Sequence, residues 1–415
     1  MRKSTTRTVA RYASAFTLAG AMVALAGCSA APVAEAGDPM TMYAWISGDT
    51  EREQWQSFVD LARADDPDLP EITLEGPSFS DYMTKVKTRL AGGDTVCIVT
   101  TQATGAESLK DVLLPLDDLI ESSGTDLSDF NQSMLDGMTV DGDLLALPYD
   151  AEPLTLFYNK DQFRDAGLAL PGTTYTREQF RSDAQALTTP DRFGFAMAPG
   201  LSVPNAWALA DGVPAVKDGE LDITSPEFVE QLQSYFDLAA VDGVARAPEA
   251  ADASEVSQQA FINGDTSMLI EGPWWYTPFQ EQAKFDLGIT VVPSTSGEAR
   301  GMTAGSGFGI AKMCDRPEEA LQVILGMTSE KAQLAQASAR GIVPARASAL
   351  PAWAEGKNEG ASDVINALLG NATAQLTTPN WSQVETLMSQ YGVEGYRGEQ
   401  TAEEITTTIS NSVGR

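Results

Sequence analysis

The sequence predicts an α/β fold in two lobes, and three observations carry that reading. Strand-like runs alternate with amphipathic helical segments from Met40 to Ile310, the pattern of a sheet covered by helices. The stretch from Cys28 to Arg415 holds 388 residues, a length that calls for two or three domains. A 43% apolar composition supplies ample core, and after the first 27 residues no apolar run approaches the roughly 18 residues of a membrane span.

Residues 1–27 read as an export signal. Arg2, Lys3, Arg7 and Arg11 form a basic head, and Tyr12 to Leu25 follow as a mostly apolar, uncharged run too short to span a bilayer comfortably. The run ends in Leu25-Ala26-Gly27-Cys28, which resembles the bacterial lipobox. That resemblance implies a diacylglycerol group on Cys28, which would become the first residue of the mature protein. The alternative is an ordinary secretory signal with an incidental cysteine. Acyl chains contribute about 0.8 kcal/mol per buried methylene, so two or more hold a protein stably on a membrane. Residues 28–38 are mostly small and aperiodic and read as a flexible tether.

The elements then follow in order. Met40 to Trp45 reads as a strand, and Thr50-Glu51-Arg52-Glu53 as a capping box opening a helix. Trp55, Phe58, Val59 and Ala62 share one face of that helix, which assigns Trp55 to the core. A strand at Ile72 to Leu74, a helix from Ser80 to Leu90 and a strand at Val96 to Val99 complete a parallel unit. Met138 to Val140, then Asp141-Gly142, then Leu144 to Tyr149 reads as a hairpin with a tight turn. Leu154 to Tyr158 is a strand, and Thr176 to Leu187 a helix whose capping box closes on Gln179. Phe193 to Met197, Ser267 to Ile270, Ile289 to Val292 and Phe308 to Ile310 read as further strands, and Pro317 to Met327 as a helix. The last 65 residues are mainly helical.

Charge and composition exclude several functions. All 58 acidic residues follow the signal, while four of the 27 basic ones lie in it; 23 against 58 leaves a net charge of −35 from Cys28 onward. Such a balance argues against nucleic acid and against a basic membrane-binding face. The chain has no histidine, which removes imidazole acid–base chemistry, His-containing triads and His metal sites. No phosphate-binding glycine loop or calcium-loop spacing appears. Asp141-Gly142-Asp143 looks metal-like but reads as a turn, and Asp65, Asp66 and Asp68 read as a solvated loop. No metal or cofactor is expected. Paired carboxylates for glycoside hydrolysis meet only in a fold, so a hydrolase stays open. Cys97, in the run Val96-Cys97-Ile98-Val99, reads as a buried free thiol, with a single Cys97–Cys314 disulfide as the alternative.

The aromatic residues point to a binding site. Trp45 ends a strand at Trp45-Ile46-Ser47-Gly48-Asp49, Trp207 follows Pro204-Asn205, Trp274-Trp275-Tyr276 follow Gly272-Pro273, and Trp381 follows Pro379-Asn380. Sugars present C–H patches on each ring face and hydroxyls around the rim, so their sites want flat aromatics and polar edges. The competing reading for each tryptophan is core packing.

Taken in sequence, these segments resemble the extracellular solute-binding proteins of family 1, the maltose-binding-protein-like receptors of carbohydrate ABC importers. The matching pieces are Trp45 to Asp49, Leu147-Pro148-Tyr149 through Leu156-Phe157-Tyr158-Asn159-Lys160-Asp161, and Phe261 to Trp274. Asp286-Leu287-Gly288, Gly305 to Ile310 and Gly341 to Arg346 complete the order. The resemblance implies a type II periplasmic-binding-protein-like fold, two lobes joined by a hinge, with a ligand cleft between them. Hinge closure around a ligand is general for such proteins. It implies lobe one at 39–148 plus 307–347 and lobe two at 150–302 plus 350–415. Residue by residue, it implies polar contacts from Ser47 and Asp49, an acidic contact from Glu152 and stacking from Trp207, Trp274 and Trp381. Trp45, Gln102, Asn205, Trp275, Tyr276 and Arg346 are further candidates, Arg346 also reading as a loop ion pair. The chain departs from the family at Asp94-Thr95-Val96 on entry to the third strand, at Gln102 where an acid is frequent, and at Thr174-Tyr175-Thr176-Arg177. The expectation is a monomeric, lipid-anchored receptor that delivers a carbohydrate to ABC importer permease subunits and does no covalent chemistry. A non-sugar solute or a glycoside hydrolase is the alternative.

Overall fold

Alternation of apolar strand residues with helical faces produces two hydrophobic cores in a computed structural model, which describes residues 38–92 and 96–414. The signal, most of the tether, the lipidation expected at Cys28 and the departure at Asp94-Thr95 lie outside the described residues. None of the described helices is long and apolar enough to cross a membrane.

The first core surrounds a mixed sheet. Its order is Ile72–Glu75, Met40–Tyr43, Val96–Gln102, Ser306–Ala311 and Leu113–Leu114, with Ala146–Pro148 also pairing to Ser306–Ala311. The first three strands are parallel, as their helical connections require. Ser306–Ala311 returns from far along the chain and enters antiparallel beside Val96–Gln102. The Asp49–Asp65 helix lays Trp55, Phe58, Val59 and Ala62 into this core. It begins at Asp49 with Gly48 as its cap and no side-chain capping bond, which corrects the capping box expected at Thr50. Glu51 reaches back instead to the Ser47 backbone N–H. The Asp141-Gly142 turn forms as expected, both residues at positive φ (55° and 97°) between the paired strands Thr139–Val140 and Asp143–Leu144.

Cys97 and Cys314 form a disulfide across 217 residues of sequence. This corrects the free-thiol reading of Cys97. Cys97 lies on the Val96–Gln102 strand and Cys314 just beyond its neighbour Ser306–Ala311, so the sheet brings together two cysteines that the sequence keeps apart.

The second core is built around Thr155–Asn159, flanked by Met268–Glu271 and Leu287–Thr290, both antiparallel to it. Phe193 to Met197 joins only through single bridges, Phe193 to Thr266, Phe195 to Ala245 and Ala196 to Leu269, which corrects the strand expected there. The Arg177–Leu187 helix carries the expected reciprocal capping box between Thr176 and Gln179. Pro317–Met327 is helical over the expected span. Beyond Arg346 the chain is mainly helical, with one short strand at Ala372–Ala374.

The segments linking the cores lie side by side. Gly301–Ala304 pairs antiparallel with Glu152–Pro153 and parallel with Ala372–Ala374. Asp150 bridges Pro344, and the Ala151 N–H donates to the Val343 carbonyl. The clustered apolar residues up to Ala151 and again from Phe308 to Met327 belong to the first core, and those from Leu154 to Met302, with most of those beyond Ala337, to the second.

Candidate ligand-binding cleft

A cleft of about 690 Å³ opens between residues of the two cores. On the first side stand Phe79, Met83 and Lys87 of the Phe79–Ala91 helix, with Gln102 at the end of the central strand and Gly105 just beyond. On the second side stand Glu271 and Trp274, then Gln375, Thr378, Trp381 and Glu385. Two apolar rings are unusually open: Phe79 is 50% exposed and Trp274 38%. Open aromatic faces are costly in water unless something covers them.

Local sequence explains how these groups are held. Pro273–Trp275 forms a single 3₁₀ turn directly after the Met268–Glu271 strand. That turn folds the Trp274 indole back over Gly272, where a Cβ would stand 2.1 Å from the ring. Trp381 and Glu385 are one helical turn apart on Trp381–Tyr396 and therefore share a face. The Glu385 carboxylate accepts from the Leu201 N–H (2.8 Å) and the Ser202 hydroxyl (2.9 Å). Gly200, at φ 109°, lets the backbone pass beside it, since a Cβ there would lie 3.1 Å from the carboxylate. Glu271 accepts from its neighbour's N–H, Gly272, and from the Gln258 amide, each at 2.8 Å. Burial pushes both carboxyls above the usual range, while these hydrogen bonds pull the other way.

The model of bacterial extracellular solute-binding proteins matches residues 63–367, well over half of the chain. The chain belongs to that family. A maltodextrin-binding protein of Bacillus subtilis (strain 168) is 23% identical over 312 residues, 68% of this chain and 70% of its own. A diacetylchitobiose-binding protein of Streptomyces coelicolor is 24% identical over 398 residues, covering 90% of each chain. An ABC substrate-binding protein of Listeria monocytogenes, solved in complex with cycloalternan, superposes with a TM-score of 0.78 at 21% identity, over 91% of this chain and 98% of that one. The likeness establishes the fold of this solute-binding protein as the two-lobed type II architecture.

Of the residues expected at the site, Gln102, Trp274 and Trp381 line the cleft, and Trp275 lines a side compartment that opens from it. Trp45 and Ser47 stand one layer behind. The Trp45 ring packs edge-on against Phe79 (5.6 Å between centroids), and the Ser47 hydroxyl accepts from the Phe79 N–H. Asp49 is exposed in the first turn of its helix and is not among the cleft residues.

Four further expectations are corrected, and Arg346 takes its loop-pairing alternative. Trp207 is fully buried: its indole N–H donates to Ser234, the Arg177 guanidinium covers its face, and Phe180 and Tyr235 pack around it. It lies mid-helix in Ser202–Leu209, so its direction follows the core-facing side of that helix. Asn205, on the same helix, is buried and accepts from the Ala215 N–H. Tyr276 is buried against Trp353, its hydroxyl accepting from the Asn358 N–H. Arg346 donates to the Thr328 carbonyl, pairs with Asp129 and covers Phe130. Glu152 is buried in the linking sheet, accepting from the Val343 N–H at 3.0 Å. Burial pushes its carboxyl and that of Asp150 upward.

The two carboxylates that do face the cleft, Glu271 and Glu385, escaped sequence reasoning, as did Phe79. Faint signals existed. Glu271 directly precedes the Gly-Pro-Trp turn, and Glu385 follows Trp381 at helical spacing.

Proposed function

We propose that this protein is the extracytoplasmic receptor of a carbohydrate ABC importer and captures its sugar by closure of two lobes around the cleft. The observation that carries this reading is the placement of open aromatic rings on opposite walls, Phe79 on one and Trp274 on the other, with Gln102, Gln375, Glu271 and Glu385 among them. Aromatic faces suit the C–H surfaces of pyranose rings, and amides and carboxylates suit their hydroxyls. The ligands named for the relatives, maltodextrin, diacetylchitobiose and cycloalternan, support the same class.

The lobes are taken as 39–148 plus 307–347 and 150–302 plus 350–415, a division supported by the separate cores. Contacts made only in the closed form give a loaded receptor its distinct shape, and the importer recognises that shape. The lipobox-like Leu25-Ala26-Gly27-Cys28 supports an acyl anchor on Cys28 at the outer face of the cell membrane. The receptor acts as a monomer and performs no covalent chemistry. Titration calorimetry against an oligosaccharide panel, with product analysis of the same samples, tests the reading. Stoichiometric heat with intact sugar supports it, and released product overturns it in favour of a hydrolase.

A further inference from the structure

The cleft has a second chamber. Beyond Trp274, on the second-core side, a compartment of about 300 Å³ shares Ser202, Val203, Glu271, Trp274 and Glu385 with the main cleft and continues past them to Tyr235 and Trp275. Its lining holds two carboxylates and no lysine or arginine. The hydrogen bonds to Glu271 and Glu385 come from neutral donors, and neither forms a salt bridge among the described residues. Glu255 adds further negative potential at Glu271. Tyr235 also lines the compartment, and its buried hydroxyl has no hydrogen-bond partner.

Two partly buried carboxylates with no counter-charge are electrostatically incomplete. A carboxylate offers about four acceptor positions, of which these use only some, and a phenol oxygen also accepts. An ammonium group brings three donors, no acceptor and one positive charge. Indole faces such as those of Trp274 and Trp275 attract the same cation. We infer that this compartment receives a protonated amino group of the ligand, so that the preferred carbohydrate is an amino sugar with Glu271, Glu385 and Tyr235 as its specificity-determining contacts. This rests on the carbohydrate reading above and adds a charge requirement to it.

Calorimetry on the purified protein with matched disaccharides tests the inference: cellobiose, its glucosamine counterpart chitobiose and N,N′-diacetylchitobiose, with maltose and its 2-amino counterpart as a second linkage. In at least one linkage the free amine should bind about ten-fold or more tighter than the neutral sugar, the strength of a charge-assisted hydrogen bond. Acetylation should abolish that preference. Glu271→Gln and Glu385→Gln should each narrow the ratio to about two-fold. Should Glu385→Gln unfold through loss of its contacts to Leu201 and Ser202, Glu271→Gln decides alone. Equal binding of amine and neutral sugar, or a preference that survives acetylation or the substitutions, overturns the inference while leaving a carbohydrate receptor. Binding of no sugar on this or the wider oligosaccharide panel overturns both.

Discussion

Trp274 is 38% exposed and Trp207 is fully buried, although both follow a proline within a few residues. The difference lies in the backbone that presents each. A single 3₁₀ turn swings Trp274 over Gly272 at the cleft, whereas a regular helix commits Trp207 to its inward face. Substitution should separate the two roles. Trp274→Ala is expected to weaken ligand binding by about 1–3 kcal/mol with little change in unfolding midpoint. Trp207→Ala is expected to lower stability by about 3–5 kcal/mol, through loss of its packing with Phe180 and Tyr235. Calorimetry and urea unfolding on the same two variants give both numbers; the reverse assignment of losses would show that Trp274 is structural. At this scale the sequence offered a short list of aromatics but could not rank them, because proximity to proline or glycine does not specify the side a ring faces.

The elements that join distant parts of the chain bear on stability. The Cys97–Cys314 disulfide closes a loop of more than two hundred residues that includes most of the second core. Reduction, or the double replacement by serine, should destabilise the first-core region by about 2–4 kcal/mol, measurable as a shift in its unfolding transition. An unchanged transition would mean that the sheet alone fixes those strands. Both cysteines and the alternating elements were visible in the sequence. Their pairing was not, since it depends on Ser306–Ala311 entering the sheet beside Val96–Gln102.

The linking segments add a pH dependence. Burial pushes the Asp150 carboxyl up to about 8, and Glu152 is raised by its own burial and by the nearby Asp150 charge. Asp150 accepts from the Ser306 N–H and Glu152 from the Val343 N–H, with Lys357 the cation that favours ionised Glu152. Between about pH 4 and pH 8 the folded form therefore holds protons that the unfolded chain has released, so stability falls as pH rises across that window. Asp150→Asn should flatten this slope relative to the wild type, read from urea unfolding at a series of pH values. A slope unchanged by the substitution would show that Asp150 is ionised throughout.

On the scale of the molecule, two cores joined by a few adjacent segments leave a cleft whose width depends on their relative tilt. A saturating carbohydrate should shrink the radius of gyration measured by small-angle scattering. Ligand at about a hundred times its Kd should also add about 2.7 kcal/mol to stability. Binding without compaction would argue against closure as the signal to the importer. The net charge of −31 is carried by the whole chain, and it favours approach of neutral or cationic solutes over anionic ones at low salt.

The α/β class, the order of most elements and the family were legible in the sequence alone. Those properties are written in local periodicity, turn chemistry and ordered motifs, all of which survive in one dimension. The Cys97–Cys314 bond, the core positions of Trp207 and Tyr276, and the presence of Glu271 and Glu385 at the cleft where Asp49 and Glu152 were expected emerge only in the folded chain. Each of these is settled by which segments a sheet or helix face brings together across a hundred residues or more, or by which side of an element faces the cleft. Neither relation leaves a periodic trace in the chain.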